Sequence, residues 1–210
     1  MKVLLVNGSP HAKGCTYTAL SEIQATLDQE GMESQIFWIG NKPISGCIGC
    51  GTCGRTGRCV FDDKVVEFLG LAAGYDGFIF GSPVLYAGIA GNMGSFMDRA
   101  FFTDYCGKRN TFYLKPAAAV VSARRAGTTA ALEEMNKYFL HAQMPVVPSR
   151  YWNMVHGGTP DEVRQDLEGL QIMRVLARNM AWLLKCKEAG EKLGVSFPKR
   201  EQSISTNFIR

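Results

Sequence analysis

What the chain lacks narrows its function first. No segment approaches the roughly 18 consecutive apolar residues of a membrane-spanning helix, so no membrane association is expected. The apolar stretch of the opening MKVLLVNGSP, residues 3–6, is too short for the core of a secretory signal, and the expected location is cytoplasmic. Basic residues are scattered without a run and the net charge is only +4, which disfavours nucleic acid as a partner. The Gly-Lys-Ser/Thr ending of a Walker A loop is missing, and so is a GxGxxG fingerprint, which disfavours a nucleotide-hydrolysing loop and a dinucleotide fold. No GxSxG elbow supports a hydrolase.

What is present reads as alternation. The chain has 210 residues, 46% of them hydrophobic, enough for one substantial core. Short apolar runs at 2–7, 34–39, 77–82, 115–122 and 145–148 predict five strands. Helical spacing predicts helices over 16–29, 63–73, 91–102, 128–142 and 161–189, while 41–62 has no period and reads as a long loop. Apolar strands separated by helices predict an α/β fold of the flavodoxin-like, doubly wound kind, a five-stranded parallel sheet with helices on both faces. The expected organisation is one domain over 1–190, with a cysteine-rich loop at 43–62, and a polar extension over 191–210. In such a sheet, ligands bind outside the carboxyl ends of the strands.

Three loops fall at those ends. The first, Asn7-Gly8-Ser9-Pro10-His11-Ala12-Lys13-Gly14-Cys15-Thr16-Tyr17-Thr18, places small residues, hydroxyls and a helix N-terminus together, which suits a phosphate monoester. An ordinary capped helix start reads the same way. The second, Gly81-Ser82-Pro83-Val84-Leu85-Tyr86-Ala87-Gly88, offers apolar walls and an aromatic ring for a planar ligand. The third, Ser122-Ala123-Arg124-Arg125-Ala126-Gly127, offers backbone amides and cations to the edge of such a ring. Singly, Tyr86 reads equally as a core aromatic and the arginines as a solvated pair. Trp152 to His156 reads as a further loop that could roof the ligand.

Seven cysteines are many for a cytoplasmic chain, and four form Cys47-x2-Cys50-x2-Cys53-x5-Cys59. Two-residue spacers let successive thiolates face one centre, the glycines between them permit the turns, and Arg55 and Arg58 stand ready to offset thiolate charge. A cubane iron–sulfur cluster, a zinc site and cysteines that bind nothing all remain open on spacing alone, although zinc favours two separated pairs. Asp62-Asp63 reads as the cap of the next helix, and Cys106 and Cys186 as structural.

The run GSP…GxT, then GSPVLYAG, then a basic Gly-rich loop resembles the NADPH-dependent FMN reductase family of flavodoxin-like proteins over roughly residues 1–150. The cysteine spacing is similar to that of its iron–sulfur flavoprotein branch. The resemblance implies FMN, with Ser9, His11, Cys15, Thr16 and Thr18 around the phosphate, Pro83, Val84, Leu85, Tyr86 and Gly88 beside the ring, and Ser122, Arg125 and Gly127 at its far edge. Relatives often have arginine at position 11 and asparagine at 15. The resemblance also implies a [4Fe–4S] cluster on Cys47, Cys50, Cys53 and Cys59, an external electron carrier such as ferredoxin, and a homodimer or homotetramer. Two other functions fit the same residues: a cluster-free NAD(P)H-dependent reductase of flavin or quinone, and a non-catalytic redox-sensing or metal-binding module.

Overall fold

The computed structural model describes residues 1–208. Five strands run parallel in the order β2-β1-β3-β5-β6: β1 Lys2–Asn7, β2 Glu33–Trp38, β3 Gly77–Leu85, β5 Ala117–Ala123 and β6 Met154–His156. A two-residue strand, β4 Gly88–Ile89, folds back antiparallel on the end of β3. The helices are α1 Cys15–Gln29, α2 Thr52–Thr56, α3 Lys64–Ala72, α4 Gly91–Cys106, α5 Thr128–His141, α6 Pro160–Gln165 and α7 Leu167–Lys192.

The strands are apolar on both sides because both sides are covered. Successive side chains alternate between two cores, as the pleat requires. Leu4, Val6, Phe78 and Phe80 pack with α3, α4 and α5, whereas Val3, Leu5 and Ile79 pack with α1 and α7. The first core is built from phenylalanines, with Phe68 of α3 ringed by Phe37, Phe78, Phe80, Phe96 and Phe112. The alanines of β5 answer them: Phe78 stands beside Ala117 and Phe80 beside Ala119. Large side chains opposite small ones let the layer interdigitate, as close-packed interiors require.

Four expectations are corrected. The short apolar segment at 145–148 is not the fifth strand. Pro145 and Pro148 have no N–H to donate, so pairing stops at an isolated bridge between Val146 and Ala117. The fifth parallel strand is β6, so 154–156 belongs to the sheet and is not a loop. The long helix expected over 161–189 breaks at Asp166, whose carboxylate caps α7 by accepting from the Gly169 amide. The long loop also contains a single turn of helix, α2. Beyond α7 the chain returns to the body, where the Arg200 guanidinium lies over the Tyr113 ring, 3.6 Å from its centroid.

No described helix is long and apolar enough to cross a membrane. Register fixes what matters for function. Asn7 of β1 stands beside Trp38 of β2 and Gly81 of β3, Pro83 beside Ser122, and Ala123 beside His156. The strands therefore finish together, and the loops after β1, β3 and β5 emerge side by side.

Candidate flavin and four-cysteine sites

The loop after β1 is shaped by a residue that the sequence reading passed over. Asn7 is fully buried, and its amide accepts from the Ser9 N–H at 3.1 Å while donating to the Ala12 carbonyl at 3.1 Å. The side chain mimics a backbone turn, the usual role of Asn before a tight bend. Trp38 closes the other side, its indole N–H donating to the Ser9 carbonyl at 2.8 Å. Ser9 Oγ accepts from the His11 N–H at 3.2 Å. Gly14, at the helix N-cap, supplies no side-chain acceptor, so the first amides of α1 are left to a ligand or water.

Thr16 lies one residue into α1 and is buried against β5, where its hydroxyl meets the Ser122 hydroxyl at 2.8 Å. A hydroxyl pair uses one of its two protons internally, so the other remains available to an acceptor. The pair ties the first loop to the third. Close packing here depends on Gly81, where a Cβ would stand 2.8 Å from Thr16 Cγ2. Thr18 donates back to the Gly14 carbonyl at 3.2 Å. The Cys15 thiol points to the Gly157 carbonyl after β6, at 3.7 Å, and burial pushes its pKa up. His11 and Lys13 are exposed.

The valine variant of Thr16 keeps the shape and removes the hydroxyl. It leaves Ser122 buried without its partner, at a cost of about 1–3 kcal/mol. Thr16→Val is expected to lower the melting temperature and to weaken FMN binding about tenfold, read by flavin fluorescence titration. Unchanged affinity would remove the hydroxyl pair from the flavin site.

The second loop is a hairpin. Val84 pairs with Ile89 and Leu85 with Gly88, leaving Tyr86 and Ala87 as a two-residue turn with φ of 50° and 60°. Two left-handed residues at the tip are what a tight hairpin requires, and neither is glycine or asparagine. Such strain persists mainly where a site uses it. Tyr86 is fully exposed at the tip, and Leu85 is half exposed. Pro83 and Val84 are half-buried at the base. Glu134 of α5 steadies the hairpin by accepting from the Ile89 N–H at 2.9 Å. Gly127 of the third loop abuts the hairpin: a Cβ there would stand 2.7 Å from Ala87 Cα. Arg125 is exposed beside it. Trp152 is exposed and stacks edge-on with Tyr151.

The cysteine loop is held by α4. Asn92, in its first turn, accepts from the Ile44 N–H and donates to the Lys42 carbonyl. Further along, Arg99 is 1% exposed and points into the loop. Its guanidinium makes a fork with Asp63, at 2.6 and 3.0 Å, and donates to the Ser45 carbonyl at 3.3 Å. Two of its nitrogens approach Cys59 Sγ at 3.3 and 3.4 Å, and the Phe61 ring lies against it. Burial works against this charge, but the bonds to Asp63 and Cys59 more than offset it and raise the pKa. Asp63 also caps α3, accepting from the Val65 N–H, as the sequence predicted.

Cys47, Cys50, Cys53 and Cys59 line one small pocket with Ile48, Val60, Phe61, Phe102 and Arg99. Among the described residues, no three acidic, cysteine or histidine side chains already converge on a metal-ligating point. The donor set nevertheless suits an iron–sulfur group: four thiols around one concavity, apolar walls, and buried N–H donors aimed at a sulfur. The Thr52 hydroxyl and amide draw the exposed Cys50 thiol below its usual pKa, whereas burial and the neighbouring Cys106 push Cys53 up. Arg58 is not a cation of this pocket, since it turns outward to Asp62. Arg55 stays beside it, bonding the Thr52 hydroxyl that Cys50 Sγ also meets, and its charge helps to lower the Cys50 pKa. The buried cation is Arg99, and its signal was present: it lies three residues after Phe96, on the apolar stripe of α4.

A model of the NADPH-dependent FMN reductase family matches residues 1–159. The chain belongs to this family. As an NADPH-dependent FMN reductase family member, it is a flavodoxin-like oxidoreductase of a FMN-binding lineage. It matches the branch whose curated members are named iron–sulfur flavoproteins. One, from Methanocaldococcus jannaschii, is 30% identical over 194 residues, covering 88% of this chain and 98% of the relative. Another, from Archaeoglobus fulgidus, is 25% identical over 195 residues, covering 87% and 97%. Among solved structures, a flavodoxin from the domain Archaea superposes with a TM-score of 0.58 at 15% identity, covering 88% of this chain and 99% of that one. A flavodoxin-fold WrbA-like protein from Agrobacterium tumefaciens gives 0.60 at 12% identity, covering 88% and 96%. At these identities the structures speak for the fold alone.

Proposed function

We propose that the protein is an electron-transfer oxidoreductase that holds FMN across the loops after β1, β3 and β5 and a [4Fe–4S] cluster on Cys47, Cys50, Cys53 and Cys59. The observation that carries the reading is the four-cysteine pocket with a buried guanidinium on one of its thiols, in a chain whose parallel strands end together at three ligand-type loops. The names of the curated relatives support it.

In this reading the Ser9 loop and the open amides of α1 receive the phosphate, together with Thr16, Thr18 and His11. The Cys15 amide heads the same helix, while its thiol serves packing. Pro83, Val84, Leu85, Tyr86 and Gly88 flank the ring, and Ser122, Arg125 and Gly127 meet its edge. When bound, FMN supplies conversion between two-electron and one-electron chemistry, and the cluster supplies one-electron storage. No side chain of the three loops needs to shuttle a proton for this. The protein's part is to exclude water, fix the ring and place positive potential at its edge. The partners proposed are a one-electron carrier such as ferredoxin and, through a dimer or tetramer, further copies of this chain.

A second reading, a cluster-free NAD(P)H-dependent FMN reductase, draws on the description of the matching family. One assay separates the two: iron, acid-labile sulfide and FMN measured anaerobically on fresh protein. About four irons and one FMN per chain are expected for the first. FMN without iron would select the second. Zinc, or neither iron nor flavin, would leave a metal-binding or sensing module.

A further inference from the structure

We infer that Arg99 is a positioning residue that raises the reduction potential of the group on the four cysteines. The inference rests on the cluster reading above and goes beyond it, since neither the spacing nor the ligand set names a residue that tunes the site.

Four thiolates on a [4Fe–4S] core leave a net negative charge, and an added electron makes it more negative. Groups that stabilise the added charge raise the potential, and hydrogen bonds to the sulfurs are the protein's direct means of doing so. Arg99 is placed for this. It is buried to 1% exposure, cannot lose its proton, and aims two N–H groups at Cys59 Sγ from 3.3 and 3.4 Å. Its remaining donors go to Asp63 and the Ser45 carbonyl, which prevents rotation away from the sulfur. Phe61 covers the guanidinium face and keeps water from screening it. A buried arginine needed only for the fold would be satisfied by its carboxylate. This one divides its donors between the carboxylate and a thiol of the pocket, so Asp63 sets how much of its charge remains for the sulfur.

The division gives a test with two opposite signs. Arg99→Lys keeps a charge but has no fork to hold both Cys59 and Asp63. Its potential should shift to more negative values. Asp63→Asn retains a cap acceptor for α3 but removes the anion that offsets Arg99. Its potential should shift to more positive values. The experiment is an anaerobic spectroelectrochemical titration of wild type, Arg99→Lys and Asp63→Asn, with iron and sulfide measured on each sample. The FMN transition in the same titration should stay in place, because the Arg99 guanidinium bonds to Cys59, Ser45 and Asp63, outside the three flavin loops.

Shifts of opposite sign at unchanged iron content support the inference. Equal potentials, or shifts of the same sign, overturn it while leaving the cluster in place. If Arg99→Lys holds no iron, Asp63→Asn decides alone, and an unshifted or more negative potential overturns the inference. A wild-type protein without iron fails the cluster reading itself, and the tuning role falls with it.

Discussion

Cys50→Ala is expected to reduce bound iron from about four per chain to background while FMN stays bound. Among the four cysteines, Cys50 makes the cleanest test because its removal costs the fold least. It is exposed, and its contact is to Thr52 two residues away. Substitutions at such positions usually change stability by less than about 0.5 kcal/mol, so loss of iron would not reflect unfolding. Cys53 is buried under α4 beside Cys106, and its replacement would confound ligand loss with packing loss. The brown absorption expected of an iron–sulfur cluster over the yellow flavin spectrum should be absent in Cys50→Ala, and reduction of an external one-electron acceptor should fall with it. Iron retained at wild-type level would show that Cys50 is not a ligand. It would return the motif to the open choice among cluster, zinc and free thiols.

Gly127→Val is expected to abolish FMN binding and to lower stability by about 3 kcal/mol. Two costs add. At φ +92° a branched side chain is strained by about 1–3 kcal/mol. Its Cβ would also stand 2.7 Å from Ala87 Cα and 3.0 Å from Val84 Cγ1, and backbone must move to admit it, at a further 1–3 kcal/mol. The movement parts the hairpin of β3 and β4 from the loop after β5, the two elements proposed to grip the ring. For a chain of this size the melting temperature should fall by roughly 6–12 °C. Gly31→Val separates strain from collision, because Gly31 has φ +75° and nothing within 4 Å of its Cβ. That variant should be mildly destabilised and fully yellow. Normal FMN content in Gly127→Val would remove the third loop from the flavin site.

The legibility of the chain follows sequence distance. β1, β3 and β5 were visible because a strand buried on both faces is a short unbroken apolar run. β6 was not: Met154-Val-His156 is only three residues long, and the more apolar segment before it is bounded by Pro145 and Pro148, which have no N–H to extend its single bridge. The three ligand-type loops were legible because each lies within a dozen residues of a strand end. The contacts that shape them were less so. The Thr16–Ser122 hydroxyl pair joins positions 106 residues apart, and Arg99 meets Asp63 and Cys59 across 36 and 40 residues. Of the two arginines nearer in sequence to the thiols, Arg55 stays beside Cys50 through Thr52 while Arg58 turns outward to Asp62. The neighbour of Cys106 was not legible: the C-terminal end of α4 brings it against Cys53.

The single helix α4 has a mechanical consequence. Its N-cap, Ala90, is tied to β3 by an N–H donated to Ser82 Oγ, and its first turn to the opening of the cysteine loop through Asn92. Arg99 sits two turns later. Each residue of an α-helix advances the axis by about 1.5 Å and rotates it by about 100°. One residue inserted or deleted between Asn92 and Arg99 would swing the guanidinium off Cys59, although both loops kept their sequences. The two halves of the molecule are thus kept in phase by a residue count.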